Sequence, residues 1–409
     1  MTSSPYPPST KACAWAKPPT PWSCHEPRQA ADAHGRADLE SGRGALSAGL
    51  ADRLCRARQR QARLPVPVQG AGQALARHAA RHGSHPRRPG RANSPSLPGP
   101  VVFIAMAETA VGLGQGVFEA WLRANPNGKA LFLHSSRYRV GSVPYFEFEE
   151  SHSHAPRQFL HLSVAASALF STARSLVLID DEASTGNTFA NLVQVCRARY
   201  PQLEKLHLGV ITNFMGQAAN AGLSQRFGLP TSIGAALSGH YAFQAGDAPA
   251  PIADSAQRFE ANAERGASPA FGRIGVGRAL TPPQGLAVQL AQEIGAGDSV
   301  LVLGTGEFMH PSFLLARELE ALGKNVVVQS TTRSPILSWG SVSHIVRCDD
   351  NYGEGIANYL YNVAPGQYQH VFICHETPAS PALMQLAGQL NGRLFHFQSE
   401  TKIEEIPVC

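Results

Sequence analysis

The stretch that decides the fold is Leu176-Val177-Leu178-Ile179-Asp180-Asp181-Glu182-Ala183-Ser184-Thr185-Gly186-Asn187-Thr188. Its four leading apolar residues predict a short buried strand, because they are too few and too rich in β-branched side chains for a helix. Two adjacent carboxylates follow, then small and hydroxyl residues around one Gly, and a helix is predicted from Phe189 onwards. A strand, a tight loop and a helix N-terminus together bind phosphate through backbone N–H groups and the positive end of the helix dipole.

The pair Asp180 and Asp181 indicates which kind of phosphate this loop would bind. A nucleoside-triphosphate loop needs Gly-Lys followed by Ser or Thr, a dinucleotide fold needs spaced glycines at the strand exit, and the stretch has neither. Two acids directly before a phosphate loop suit a sugar phosphate, because a carboxylate can accept hydrogen bonds from ribose hydroxyls. An acidic turn that caps an ordinary helix is the alternative interpretation. The residues predicted to bind a 5′-phosphate are Ala183, Ser184, Thr185, Gly186, Asn187 and Thr188.

The whole pattern resembles the phosphoribosyl-pyrophosphate (PRPP) signature of type I phosphoribosyltransferases, which has four apolar residues, two acids, a short spacer and Thr-Gly-x-Thr. The resemblance implies that Asp180 and Asp181 contact the ribose hydroxyls and belong, through PRPP and water, to the shell of a Mg²⁺ ion. It implies a catalytic role for these two acids and for Arg137.

A second candidate loop follows the strand predicted at Val101–Met106. Small residues lead from it into an amphipathic helix and then into a strand at 129–134, an alternation that indicates a parallel sheet. Because the carboxyl ends of parallel strands share one edge, both loops would face one crevice. Type I phosphoribosyltransferases place their pyrophosphate loop here, and the candidates are Glu108, Thr109, Ala110, Gly112, Arg137 and Arg139. A plain strand-to-helix turn and a solvated pair of arginines are the alternatives.

A polar segment ending in Glu150, His152 and His154 fits the mobile loop that closes over the site in this family. The two histidines alternate, so on an extended chain their side chains point the same way. They could transfer protons, bind the acceptor or join Glu150 at a metal, but a lone His-x-His is weak evidence for a metal site. We favour a substrate loop.

A second α/β unit is predicted from 282 to 409, with a similar order of strands, loops and helices. Glu108 is followed by Arg137 in the first unit as Glu307 is followed by Arg333 in the second. The segment from Leu178 would then correspond to the segment from Phe372, which places Cys374 and His375 where the two acids stand. The second unit is therefore interpreted as a degenerate repeat of the first, and convergence of two generic βαβ units is the alternative.

These residues resemble one subfamily, orotate-phosphoribosyltransferase-like proteins fused to a C-terminal domain named TRSP after its Thr-Arg-Ser-Pro motif, here Thr332 to Pro335. The resemblance covers roughly 100–409 and places Gly304, Gly306, Glu307, Thr332, Arg333 and Ser334 in the second domain. It implies a pentosyltransferase that uses PRPP and Mg²⁺, an unidentified and expected nitrogen acceptor, and an association with tellurite-resistance and stress gene clusters. A role in nucleoside metabolism is part of the same expectation.

Residues 1–100 differ from the rest in composition. They hold 15 of the 35 Lys and Arg but only 5 of the 30 Asp and Glu, and no window shows sustained periodicity. Disorder is predicted, and nucleic-acid binding is not favoured because no aromatic residues alternate with the arginines from Arg53 to Arg91. The predicted organisation is thus a disordered arm (1–100), a phosphoribosyltransferase domain of parallel sheet and flanking helices (101–240), a connector (241–281) and the TRSP-type α/β domain (282–409).

The arm could also be a frame-shifted reading. With suitable codons, residues 64–77 would read in the next frame as Phe-Leu-Phe-Leu-Ser-Lys-Val-Leu-Gly-Lys-His-Trp-Pro-Val, which is similar to the first strand and Lys-containing loop of the subfamily. The catalytic domain would then lack its first structural unit. Codons incompatible with that peptide would end this hypothesis.

Two other function classes stay open, a PRPP-sensing regulator without turnover and a nucleic-acid-binding protein that uses the basic arm. Seven Cys without a Cys-x-x-Cys pattern predict a reducing cytoplasmic location, and no apolar run suggests a membrane span or a signal peptide. A homodimer is one assembly that the resemblance allows.

Overall fold

The computed structural model shows two α/β halves, each built on its own sheet. The structure describes residues 97–149, 157–240, 267–336 and 342–408, together with the backbone of 30–32, 35–41 and 241–245. Those two short segments are strands β1 (Ala30–Asp32) and β2 (Gly35–Ser41), which form an antiparallel pair. Both strands lie within residues 1–100, the stretch for which disorder is predicted. The rest of that stretch falls almost entirely outside the described residues.

The first half has a parallel five-stranded sheet in the order β9-β8-β7-β3-β4, and β2 adds to β9 in antiparallel fashion. Its strands are β3 (Val101–Ala105), β4 (Ala130–His134), β5 (Tyr145–Glu149), β6 (Arg157–His161), β7 (Ser175–Ala183), β8 (Lys205–Asn213) and β9 (Thr231–Ala245). Its helices are α1 (Val111–Ala124), α2 (Val164–Phe170), α3 (Asn187–Arg199), α4 (Gly216–Ala221) and α5 (Leu223–Phe227). Strands β5 and β6 form a separate antiparallel hairpin.

The second half repeats this strand order as β16-β15-β14-β10-β11, although its last strand is antiparallel. Its strands are β10 (Ser299–Gly304), β11 (Asn325–Ser330), β12 (Ile345–Asp349), β13 (Ala357–Tyr361), β14 (His370–His375), β15 (Arg393–Phe397) and β16 (Ile403–Ile406). Its helices are α6 (Gln284–Glu293), α7 (His310–Ala321) and α8 (Pro381–Leu390). A hairpin, β12 with β13, again separates the second and third strands of the unit.

Helix α1 shows how the first sheet is covered. Phe118 is fully buried, and its ring centroid lies 5.4 Å from that of Phe103 on β3. A Cβ added at Gly114 would lie 2.3 Å from the Cβ of Ala105, so only Gly allows the helix to approach the strand this closely. The central strands are buried on both faces, which explains why they read as continuous apolar runs in the sequence.

The strands predicted at the centre of each unit are confirmed. The run predicted as a strand at Val101–Met106 differs from β3 by one residue. Strand β7 is longer than expected, because it continues through both acids to Ala183 and pairs there with Asn213 of β8. Among the described residues, no helix is both long and apolar enough to cross a membrane.

The segment 267–281 holds the two halves together. Val276 forms an antiparallel bridge with Phe132 on β4, and the N–H of Ser163 donates to the carbonyl of Ile274. Arg273, in the same segment, is 2% exposed and donates to Glu376 and Glu307 of the second half. This part of the predicted connector is therefore packed against both sheets.

Candidate active site

Asp180 and Asp181 lie at the carboxyl end of β7, in the middle of the first sheet. Both side chains are partly exposed, and the N–H of Asp181 donates to Oδ1 of Asp180 at 2.9 Å. Glu182, the next residue, has its pKa raised by burial and by the neighbouring charge of Asp181. Three acids in a row therefore give this edge of the sheet a concentrated negative charge.

The loop after β7 has the shape that the sequence predicts. Ser184 and Thr185 are exposed, Asn187 and Thr188 are partly exposed, and helix α3 begins at Asn187. Gly186 precedes the helix with φ at +72°, a left-handed conformation that favours glycine. A Cβ at this position would also lie 2.9 Å from Sδ of Met215. Gly186 is therefore required here both by backbone conformation and by space.

Arg226, on α5, was missed by the sequence analysis. Its guanidinium donates to the carbonyl of Thr185 and to Oδ1 of Asn187, both at 2.6 Å. It therefore holds the two ends of the loop together and places a positive charge beside the exposed hydroxyls. No local sequence pattern signals this contact, since Arg226 is 41 residues from Thr185.

The candidate pyrophosphate loop follows β3, the neighbour of β7, so the two loops do share one edge of the sheet. The N–H of Ala107 donates to Oγ of Ser135 at 2.8 Å, while Thr109 and Gly112 are partly exposed. Ala110 is buried, and Glu108 is only 7% exposed. Burial raises the pKa of Glu108, and the charges of Arg333 and Arg137 oppose that rise.

The two arginines after β4 have different surroundings. Arg137 is partly exposed, and its backbone N–H donates to Oε1 of Glu307 at 2.6 Å. The guanidinium of Arg139 lies 5.2 Å from the ring centroid of Tyr145 and 5.4 Å from that of Phe159. Arg139 therefore packs against the hairpin β5–β6, whereas the charge of Arg137 acts on Glu108 in the loop after β3.

The predicted mobile loop lies outside the described residues, since Glu150, His152 and His154 fall within 150–156. The strands on either side of it are described, and they pair from Tyr145 with His161 to Glu149 with Arg157. The chain around the predicted loop thus forms an antiparallel hairpin, and the mobile-loop role of its tip stays a prediction.

Two of the six residues predicted for the TRSP-type domain, Glu307 and Arg333, contact the first half. Glu307 accepts from Ser136 Oγ at 2.7 Å as well as from the Arg137 N–H. Arg333 contacts the first half and Glu354, as described below. Thr332 pairs with Tyr359 of β13, and its Oγ1 accepts from the Ser334 N–H. Gly304 and Gly306 allow the loop after β10 to turn tightly below these groups.

Two buried histidines lie beneath the first-half loops. His134 has its pKa lowered to about 4, first by burial and then by the charge of Arg273. The pKa of His161 is lowered to about 4 for the same reasons, and its Nε2 accepts from the Val140 N–H at 3.2 Å. Both are therefore neutral near pH 7 and serve as hydrogen-bonding groups of the interior.

The acidic edge suits a divalent ion carried by a substrate better than a metal cage. No group of three or more His, Cys, Asp and Glu side chains capable of holding a metal occurs within the described ranges. Asp180 and Asp181 can supply hard oxygen ligands, and Mg²⁺ commonly keeps several waters and substrate oxygens besides one or two carboxylates. The donors present therefore fit a Mg²⁺ ion that arrives with a phosphorylated ligand.

Comparison with known protein families gives two matches, one to each half of the chain. Residues 59–240 match the family model described as phosphoribosyl transferase, beginning inside the stretch that composition assigns to the arm. Residues 276–390 match the model of the TRSP domain that lies C-terminal to that transferase. Together the two matches span more than two thirds of the 409 residues. No curated protein matches the chain.

Solved structures with some likeness to the chain include purine phosphoribosyltransferases. Adenine phosphoribosyl transferase from Trypanosoma brucei, in complex with AMP, pyrophosphate and ribose-5-phosphate, is 11% identical over 41% of this chain and 63% of its own, with a TM-score of 0.25. The chain thus spans less than two thirds of that enzyme. The Giardia lamblia enzyme complexed with 9-deazaadenine is 14% identical over 40% and 79%, with a TM-score of 0.24. A Staphylococcus aureus hypoxanthine phosphoribosyltransferase is 13% identical over 37% and 67%, with a TM-score of 0.19.

Proposed function

Since this chain belongs to the phosphoribosyl transferase family that carries a C-terminal TRSP domain, we propose that it transfers the 5-phosphoribosyl group of PRPP to a nitrogen acceptor. The observation that carries this proposal is the exposed hydroxyl loop after β7 with two partly exposed carboxylates directly before it. In the reaction, the bond between C1 of the ribose and the pyrophosphate oxygen breaks and a bond from C1 to the acceptor nitrogen forms. Pyrophosphate leaves with the electron pair, and the acceptor loses a proton to the medium.

The loop from Ala183 to Thr188 binds the 5′-phosphate in this proposal. Its backbone N–H groups and the N-terminus of α3 supply donors and partial positive charge, and the hydroxyls of Ser184, Thr185 and Thr188 add further donors. Arg226 fixes the loop and contributes a full positive charge from outside it. This set neutralises a dianion without a lysine in the loop.

Asp180 and Asp181 accept from the ribose hydroxyls and would help to hold a Mg²⁺ ion that arrives with PRPP. Bound Mg²⁺ would neutralise charge on the leaving pyrophosphate. As positive charge develops at C1, these carboxylates lie on the side of the sugar where negative charge stabilises the oxocarbenium-like transition state. The catalytic effect assigned to this pair is therefore electrostatic and positional.

The pyrophosphate lies against the loop after β3. Thr109 and Gly112 are partly exposed there, and Arg137 can bind phosphate oxygens in a bidentate manner. Arg139 contacts the hairpin, so its part in this proposal is to orient β5 and β6 rather than to bind the pyrophosphate.

Calorimetric titration of the full chain with PRPP and Mg²⁺ tests the proposal, followed by a pyrophosphate-release screen over nucleobases and small amines. We expect binding in the micromolar range and release of pyrophosphate with at least one acceptor. Absence of binding at millimolar PRPP would overturn the proposal. Binding without release for any acceptor would instead identify the PRPP-sensing regulator.

The finer expectations drawn from the sequence stay predictions. They are the acceptor, the tellurite-resistance and stress context, the cytoplasmic location and the homodimer. Nucleic-acid binding through the arm concerns residues outside those that the structure describes, apart from β1 and β2.

A further inference from the structure

The two halves contact each other in a reciprocal way: the loop after the first strand of each half meets the loop after the second strand of the other. Glu307, in the loop after β10, accepts from the backbone N–H of Arg137 and from Ser136 in the first half. Glu108, in the loop after β3, is contacted by Arg333 of the second half, through its backbone and through its guanidinium at 3.9 Å. Each half therefore places one buried carboxylate against the loop that follows the second strand of the other.

Equivalent backbone contacts show that Arg333 and Arg137 occupy matching positions. The N–H of Ser135 donates to Ala105, and that of Thr331 donates to Gly304, at 2.9 and 3.0 Å. Counting two residues onward from Ser135 and from Thr331 gives Arg137 and Arg333. The second half thus offers its counterpart of the pyrophosphate-binding arginine to the pyrophosphate loop of the first half.

Arg333 is tightly surrounded. Its side chain is 11% exposed, its guanidinium carbon lies 4.6 Å from the ring centroid of Tyr138, and it donates to Glu354 at 3.1 Å. Tyr138 directly follows Arg137 in the chain. Oε1 of Glu108 has no hydrogen-bond partner among the described residues, so the charge of Arg333 is a main compensation for this buried carboxylate.

From this arrangement we propose that Arg333 of the TRSP half is a positioning residue for the pyrophosphate loop of the first half. Through Glu108 it fixes the backbone at Thr109 and Ala110, and through Tyr138 it fixes the position of Arg137. Donors must be held within about 0.5 Å of their productive place for full effect. The loop would therefore bind pyrophosphate fully only when the TRSP half is docked. This inference rests on the proposed function of the same site.

The test compares the two parts of PRPP, the pyrophosphate and the ribose 5-phosphate. Affinities of the full chain for PRPP, inorganic pyrophosphate and ribose 5-phosphate are measured by calorimetry with Mg²⁺, for the wild type and for R333Q. We expect PRPP and pyrophosphate to bind R333Q roughly tenfold or more weakly, while ribose 5-phosphate, which uses the loop after β7, keeps its affinity within about twofold. R333K, which keeps the positive charge, should recover part of the loss.

A matched control is R393Q. Arg393 belongs to the same half and pairs with Glu405 and Glu293, but these partners all lie in the second half, away from the loop contact. R393Q should leave all three affinities unchanged.

The outcomes separate this inference from the proposed function. If the wild type binds neither PRPP nor ribose 5-phosphate, the proposed function fails. If the wild type binds PRPP and ribose 5-phosphate, two results for R333Q would overturn the inference. One is an equal loss of affinity for these two ligands, and the other is no loss for either of them. In both cases Arg333 is only structural. Should R333Q not fold, R333K provides the test. A loss of affinity of at least about twofold for PRPP and pyrophosphate, but not for ribose 5-phosphate, supports the inference. Unchanged affinities overturn it.

Discussion

The loop after β7 in the first half and the loop after β14 in the second stand at the same place in two sheets of the same strand order, yet they have opposite surroundings. Asp180 and Asp181 are partly exposed and lead into an open hydroxyl loop. His375 and Glu376 are 0% and 4% exposed. The second loop is therefore filled by the protein itself, where the first is left open to a ligand.

The register of the central strands refines the correspondence read from the sequence. Ala105 pairs with Ile179 in the first sheet, and the equivalent Gly304 pairs with Cys374 in the second. The alignment that placed Cys374 opposite Asp180 was thus wrong by one residue. Glu376 stands at the position of Asp181, so one acid is retained, and it binds Arg273 at 2.6 Å. Topology and register support the proposal of a repeat whose second site has been converted into an internal ion pair.

The largest expected effect is on turnover, and it comes from Asp181 beside the open loop after β7. D181N removes a charge that stabilises the transition state, so turnover should fall about 1000-fold, or about 4 kcal/mol in activation free energy. The free energy of unfolding should change by less than about 1 kcal/mol, because Asp181 is partly exposed. Steady-state pyrophosphate release and urea unfolding measure the two quantities. A fully active D181N would refute the role given to this acid.

E376Q at the equivalent position should show the opposite profile. It leaves the buried guanidinium of Arg273 with Glu307 as its remaining acidic partner, at 3.0 Å, so unfolding should become easier by about 3 kcal/mol. PRPP affinity at a temperature where the variant is folded should stay within about threefold of the wild type. If E376Q were as stable as the wild type, the ion pair would not be what fills the second site.

R226Q tests the residue that fixes the phosphate loop. Loss of its charge and of its bonds to Thr185 and Asn187 should weaken PRPP binding roughly tenfold, or about 1.4 kcal/mol. The control is R197Q, because Arg197 donates to Phe227 on the same small helix but does not contact the loop. Equal affinities of the two variants in calorimetry would remove Arg226 from the site.

The smallest effect concerns the buried histidines. The folded pKa of His161, about 4, is below the reference value of 6.5, so between these values the unfolded chain binds more protons and stability falls as the pH is lowered. H161Q keeps an acceptor for Val140 and should reduce the slope of unfolding free energy against pH by at most about 1.4 kcal/mol per unit. The groups facing His161 are Arg273, Glu307, His134 and Arg139. Urea unfolding from pH 7 to 4.5 gives both slopes, and identical slopes would mean that folding does not lower the pKa of His161.

Local patterns were sufficient for the centre of each sheet and for the strand, the turn at Gly186 and the helix that follows it. Buried parallel strands read as unbroken apolar runs, and Thr-Gly-x-Thr after two acids predicts a tight turn before a helix. Strand β9 was not predicted, because its residues from Thr231 are rich in Gly and Ala and their extended shape is imposed by pairing with β8.

Contacts between distant segments could not be predicted from the sequence. Arg226 reaches the loop across 41 residues, and Arg273 reaches Glu376 across 103. Neither has a neighbour in sequence that marks it as special among 35 Lys and Arg. The pairing of Glu108 with Arg333 likewise follows only from how the two sheets face each other.

The position of Arg273 affects the design of expression fragments of the second half. The family match for the second region starts at 276, three residues after this arginine. An expression fragment designed on that limit would leave the carboxylates of Glu307 and Glu376 enclosed without their counter-charge, and poor solubility of such a fragment would say nothing about the domain. A fragment that starts at 267 keeps the ion pair.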